Sequence, residues 1–155
     1  MVQNTSFKVS EVNLTYSPNY KIADRPKISS SKDAYDIVLS KWNLDKINLL
    51  EEFKILLLNR GNRVLGFVNI SQGGMTGTIA DPKLIFVAPL KAAASYIILV
   101  HNHPSEQLKP SGEDIRLTKK LVEAGKLLDI LVVDHLVITK DGYYSFCDEG
   151  GYSAT

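Results

Sequence analysis

The chain has 155 residues, 45% hydrophobic and 23% charged, enough for one domain with its own core and unlike a disordered segment. A formal net charge of +1 gives no electrostatic drive toward nucleic acid or an acidic membrane. The one cysteine, Cys147, excludes an intramolecular disulfide, and no apolar run approaches the ~20 residues of a bilayer span.

The opening "MVQNTSFKVSEVN" lacks the basic-then-apolar layout of a secretory signal, which with the lone cysteine points to the cytoplasm. "FKVSEVNLTYS" alternates Phe7, Val9, Val12 and Leu14 imperfectly and predicts an early strand. "SPNYKIADRPKISSS" is rich in turn formers and predicts a loop laid over the domain. Residues 1–30 thus read as an N-terminal strand and loop extension to a domain over 31–155.

A helix over Lys32 to Trp42 follows, with Ser31 as cap and Ala34, Ile37, Val38 and Trp42 at helical spacing. "EEFKILLLN" and "RVLGFVNIS" flank the turn chemistry of "NRGN" and predict an antiparallel hairpin, Glu52 to Leu58 and Arg63 to Ser71. "GGMTGTIAD" is a loop by glycine content, and "PKLIFVAPLKAAASY" a helix whose boundaries Pro89 blurs. "YIILV" reads as a central strand delivering His101 at its end. Ile115, Leu117, Leu121, Val122, Ala124 and Leu128 predict an amphipathic helix over Gly112 to Leu128. "DILVVDHLVIT" and "YYSF", the latter after a "KDG" turn, close the chain as strands. The order βαββαβαββ implies one layered α/β (α+β) domain: a mixed sheet with flanking helices.

The densest chemistry lies in "HNHPSEQLKPSGED", which holds two of the three histidines. On a strand, residues i and i+2 share a face with Cα atoms about 6.6 Å apart, so His101 and His103 can address one metal ion while Asn102 faces away. Neutral imidazoles suit zinc, and Asp114 is the nearest downstream aspartate. Three protein ligands plus a water is the hydrolytic pattern, in which the water is acidified to a pKa of about 7. "SGED" also fits a capping box with Ser111 as N-cap and Asp114 at N3, which accounts for both residues without a metal but not for the histidines. The two readings agree, since a capped first turn would hold Asp114 rigidly.

His101, His103, Pro104, Ser111 and Asp114, spaced as H-x-H-P-x6-S-x2-D, resemble the signature of the JAMM (JAB/MPN) metalloprotease superfamily. Thr118, "DHLVI" and "YYSF" extend the resemblance to its RadC-like branch, over about residues 30 to 150. The resemblance implies a JAB/MPN fold of cytidine deaminase-like type and one zinc per chain, held by His101, His103 and Asp114 with a water as fourth ligand. It implies that Ser111 hydrogen-bonds the water or the tetrahedral oxyanion, and that a glutamate on an early strand is the general base. Aligning Phe53 with the family's Glu-x-Phe pattern selects Glu51, and strand alternation puts Glu52 on the opposite face.

Three departures stand out. Glu106 replaces the glycine of the usual "HNHPSG", Pro82-Lys83-Leu84 lacks the usual Arg-Glu pair, and the first 30 residues lack a helix-hairpin-helix pattern. His135, apolar on both sides, reads as a core imidazole held by a local partner, and Cys147 as an inert buried thiol. The function implied is zinc-dependent hydrolysis of an amide in a peptide or isopeptide substrate. A DNA repair or mobile-element role, with the metal site acting on nucleic acid, is the alternative, and a non-catalytic binding module a third.

Overall fold

The computed structural model describes residues 6–73 and 80–150. Its elements are a 3-10 turn at Ile22–Asp24, then α1 (Ser31–Lys41), β1 (Glu52–Leu58), β2 (Val64–Gln72) and α2 (Pro82–Lys91). β3 (Tyr96–Asn102), α3 (Gly112–Leu127), β4 (Leu131–Ile138) and β5 (Tyr143–Ser145) complete it. The fold is α/β, with one five-stranded mixed sheet in the order β2-β1-β3-β4-β5. β3 and β4 run parallel, joined through α3, and the other neighbours are antiparallel.

Strand alternation sorts side chains into two cores. Ile55, Leu57, Ile97 and Leu99 pack with Ile85 and Phe86 of α2 and with Leu121 and Val122 of α3. Leu56, Leu58, Ile98 and Val100 pack with Ala34, Tyr35 and Val38 of α1. Both faces of the central strands are therefore covered, which is why β1 is buried along its whole length. Even Lys54 is buried there, paired with Glu52 at 2.9 Å and lying 4.5 Å from the centroid of the Trp42 ring. On β3 the alternation sends His101 toward α3 and Asn102 toward α1.

One glycine is required by close approach. A Cβ on Gly125 would sit 2.2 Å from the carbonyl oxygen of Ile130, where the chain folds back from α3 into β4. Asp129, at φ 56°, makes that reversal.

Several expectations need correction. No strand forms over Phe7 to Leu14, where all four alternating apolar side chains are exposed. Pro26, Lys27 and Ile28 cover the start of edge strand β2, with Val64 N–H donating to Pro26 C=O and Lys27 bridging Arg63. The Tyr16 and Tyr20 hydroxyls both donate to the Leu65 carbonyl. The cap of α1 is Ser30, whose hydroxyl accepts from Asp33 N–H while the Asp33 carboxylate accepts in return. Pro89 is tolerated inside the last turn of α2, and Ala93 ends the helix at φ 53°. Cys147 is exposed, because β5 stops at Ser145 and the chain turns outward. Most of the glycine loop expected at 73–81 lies outside the described residues.

Candidate metal centre

The site forms where β3 and α3 meet. His101 is the penultimate residue of β3, paired with Phe53 of β1 and Val137 of β4. The strand extends one residue further through His103 N–H donating to Ile138 C=O. The chain then turns at Glu106, with Glu106 N–H on His103 C=O, and Glu106 takes φ 67°. This is the left-handed region that glycine adopts freely and other residues enter at a cost of about 1–2 kcal/mol. The Glu106 carboxylate accepts from Asn48 Nδ2 at 3.1 Å, linking this loop to the segment before β1.

At the start of α3, Ser111 and Asp114 form a full capping box. Ser111 Oγ accepts from Asp114 N–H at 3.1 Å and Asp114 Oδ2 accepts from Ser111 N–H at 2.7 Å. The box fixes the carboxylate, and the fixed carboxylate faces the histidines. His101 Nε2 lies 2.9 Å from His103 Nε2 and 3.4 Å from Asp114 Oδ1, and His103 Nε2 lies 3.3 Å from Asp114 Oδ2. One ligand atom from each of the three residues lies within 4.8 Å of the others, so the cluster could hold a metal ion.

Burial would raise the Asp114 pKa, but His101 and His103, with the Ser111 N–H, hold it well below the usual carboxylate range. Burial opposes charging of His103, yet Asp114 and the Gln107 carbonyl outweigh it and leave its pKa raised. His135 is fully buried, and burial and then His101 push its pKa well down, so it is neutral at pH 7.

Proton counting then fixes the tautomer of His101. The Thr118 hydroxyl donates to Asp114 C=O at 2.6 Å, so its oxygen accepts from His135 Nδ1 at 2.6 Å. Neutral His135 must therefore accept at Nε2, and its partner at 2.8 Å is His101 Nδ1, which carries the proton. His101 Nε2 is left with its lone pair, aimed at His103 and Asp114. His103 Nδ1 donates to Gln107 C=O at 2.6 Å, which turns its Nε2 toward His101 and Asp114. Hydrogen bonds of this kind on the far nitrogen orient metal-ligating imidazoles. Phe53 stacks at 5° to the His101 ring, with centroids 6.1 Å apart, and fills the face that the polar partners leave.

The two early glutamates part company. Glu52 is buried on the α1 side and bound to Lys54. Glu51 is half-buried, and burial raises its carboxyl pKa, with His101 and His103 pulling it down and Asp114 pushing it up. Glu51 thus shares the electrostatic environment of the three clustered residues.

A family model described as the RadC-like JAB domain matches residues 28–152. The chain belongs to this family. A "UPF0758 protein" of Flavobacterium johnsoniae is 47% identical over 126 residues, 80% of this chain and 53% of the relative. Another from Alkaliphilus metalliredigens is 46% identical over 119 residues, 77% of this chain and 50% of the relative. A third, from Porphyromonas gingivalis, is 40% identical over 134 residues, 86% of this chain and 58% of the relative. The chain spans about half the length of the curated relatives it matches.

Within this RadC-like domain the structure brings His101, His103, Asp114 and Ser111 to one place, with Glu51 in electrostatic reach. Reading the sequence missed what His135 and Thr118 do there. Thr118 was legible as the residue four after Asp114 on one helical face. His135 was not, since only the β3–β4 register, with Leu99 opposite His135, puts it beside His101. No described helix is long and apolar enough to cross a membrane.

Proposed function

We propose that this domain is a zinc-dependent amide hydrolase acting on a peptide or isopeptide bond. One observation carries the reading: two imidazoles, each held at Nδ1, turn their Nε2 atoms toward an ionised carboxylate, beside a half-buried glutamate. Two nitrogens and one carboxylate oxygen suit zinc in an open, three-ligand site, with His101, His103 and Asp114 as the ligands. When bound, zinc supplies Lewis acidity, lowering the pKa of water and polarising a substrate carbonyl.

The chain's own groups supply the rest. Glu51 takes the proton from the attacking water and delivers it to the departing amine nitrogen, a role that its raised pKa favours near neutral pH. Ser111 Oγ spends a lone pair on the Asp114 N–H, so its hydroxyl hydrogen stays available for the oxyanion. Buried His135 and Thr118 keep the His101 proton on Nδ1, away from the reaction. The net charge of +1 gives the nucleic-acid alternative no electrostatic support.

The test pairs metal analysis with turnover. Chelator-free protein should carry near-stoichiometric zinc that His101→Ala and His103→Ala both lose. Wild type should cleave members of a peptide and isopeptide panel, and Glu51→Gln should keep zinc while losing hydrolysis. Wild type without zinc, or Glu51→Gln with full activity, would overturn the assignment.

A further inference from the structure

Asn102 stands between His101 and His103 in sequence, yet its side chain leaves β3 on the opposite face. It is fully buried, and its hydrogen bonds all go to one short segment. Oδ1 accepts from Glu52 N–H at 2.7 Å, and Nδ2 donates to Ile47 C=O at 2.7 Å and to Leu50 C=O at 2.8 Å. Both Nδ2 hydrogens are used.

The placement of these bonds matters more than their number. The Leu50 carbonyl belongs to the peptide unit before the Glu51 Cα, and the Glu52 N–H to the unit after it. Asn102 therefore holds the two planes whose relative rotation is the φ and ψ of Glu51. Glu51 C=O accepts in turn from Gly73 N–H at 2.8 Å, which steadies the second plane from β2. The backbone ladder between β1 and β3 ends at Phe53 and His101, so beyond that pair the strands have no main-chain register to share. The Asn102 amide takes over there.

We propose that Asn102 is a positioning residue that aims the Glu51 carboxylate into the site. It makes β3 the common ruler: His101 leaves one face as a candidate ligand, and Asn102 leaves the other to fix the candidate base. The proposal rests on the reading of Glu51 as general base. Without Asn102, the segment 47–52 loses three bonds at once, and the carboxylate is free to swing by an ångström or more, a displacement that costs up to about 100-fold in rate.

The experiment is a double-mutant cycle on the zinc-loaded full chain, with a peptide or isopeptide that wild type cleaves. Asn102→Ala should keep stoichiometric zinc and wild-type KM, with kcat lowered roughly 10- to 100-fold. Combined with Glu51→Gln it should cause no further loss, because it acts only through that carboxylate. Amide hydrogen exchange on the metal-free protein gives a readout independent of activity: Glu52 and Gly73 should exchange faster, while β1 from Ile55 onward stays protected. Asn102→Ser, which gives up the amide without burying a charge against the Ile47 and Leu50 carbonyls, serves the same cycle where the alanine variant does not fold. An additive loss on top of Glu51→Gln, unchanged kcat, or unchanged exchange at Glu52 would overturn the proposal and leave the base assignment standing. Full activity in Glu51→Gln alone would overturn the base assignment and this role with it.

Discussion

Thr118→Val removes one oxygen from the chain that orients His101, and its consequence for metal binding follows from counting protons. In the wild type the Thr118 hydroxyl hydrogen goes to Asp114 C=O, so His135 donates from Nδ1 and accepts at Nε2 from His101 Nδ1. Valine offers no acceptor. The His135 Nδ1–H is then stranded in a fully buried position, or the proton moves to Nε2 and meets His101 Nδ1. In the second case His101 must carry its own proton on Nε2, the atom facing Asp114, and has no lone pair left for a metal. Restoring the metal-competent tautomer strands a buried donor at about 1–3 kcal/mol. At about 1.4 kcal/mol per tenfold, affinity for the proposed zinc should fall roughly 10- to 100-fold. Competition against a chromophoric chelator measures the loss, with Thr118→Ser retaining wild-type affinity, and the nitrogen NMR shifts of His101 report its tautomer. Undiminished affinity in a folded Thr118→Val protein would refute the proton assignment.

Gly125→Ala should destabilise by about 1–3 kcal/mol despite alanine's helix propensity, since its Cβ would meet the Ile130 carbonyl oxygen at 2.2 Å. A chemical-denaturation midpoint at or above wild type would contradict this. At Glu106, φ 67° predicts that glycine is more stable than alanine by about 1 kcal/mol, as both lose the Asn48 bond and only alanine keeps the strain. Equal melting temperatures for Glu106→Gly and Glu106→Ala would rule out strain there. Folded His135 resists protonation, so below about pH 6.5 the unfolded chain binds a proton that the folded chain refuses, and stability falls with acid by up to about 1.4 kcal/mol per pH unit. His103, with its raised pKa, contributes with the opposite sign, stabilising at low pH and losing that contribution as pH rises. The readout is therefore a difference: urea midpoints of metal-free protein between about pH 7 and about pH 5 should fall less steeply in His135→Gln than in wild type, and equal slopes would exclude His135 as the source.

The hairpin, the central strand and α3 were legible because each carries its own periodicity and turn chemistry, and because core burial on both sheet faces leaves little choice of register. The His101, His103, Asp114 spacing was legible for a related reason: strand alternation and a capping box are local rules. Phe7 to Leu14 misled because alternation says only that a segment could line a face. Here the start of the β2 edge is covered by Pro26, Ile28 and the tyrosines, and the alternating residues find no strand to join. Asn102 was placed on the correct face, but no local rule says that residues 47–52 wait there to receive its amide. Cys147 looked buried because it was read as part of a short β run; β5 stops at Ser145, and the turn that follows exposes it.

What the fold contributes is an economy of reference points. The parallel pair β3–β4 sets His101 and His135 diagonally on one face, two positions apart along the register, so that one imidazole can orient the other. The helix joining those strands returns its N-terminus to the same end of the sheet, where the capping box that starts the helix also aims Asp114. Thr118, one turn further along, ties that helix to His135. His101, His135, Thr118 and Asp114 are therefore fixed by elements that the hydrophobic core already fixes, while Glu51 just precedes β1 and His103 just follows β3. That residue is held by the Gln107 carbonyl across the turn that Glu106 makes. The strained Glu106 turn is thus an adjustable side of the cluster, and His103 is the candidate ligand whose geometry should respond most to changes in that loop.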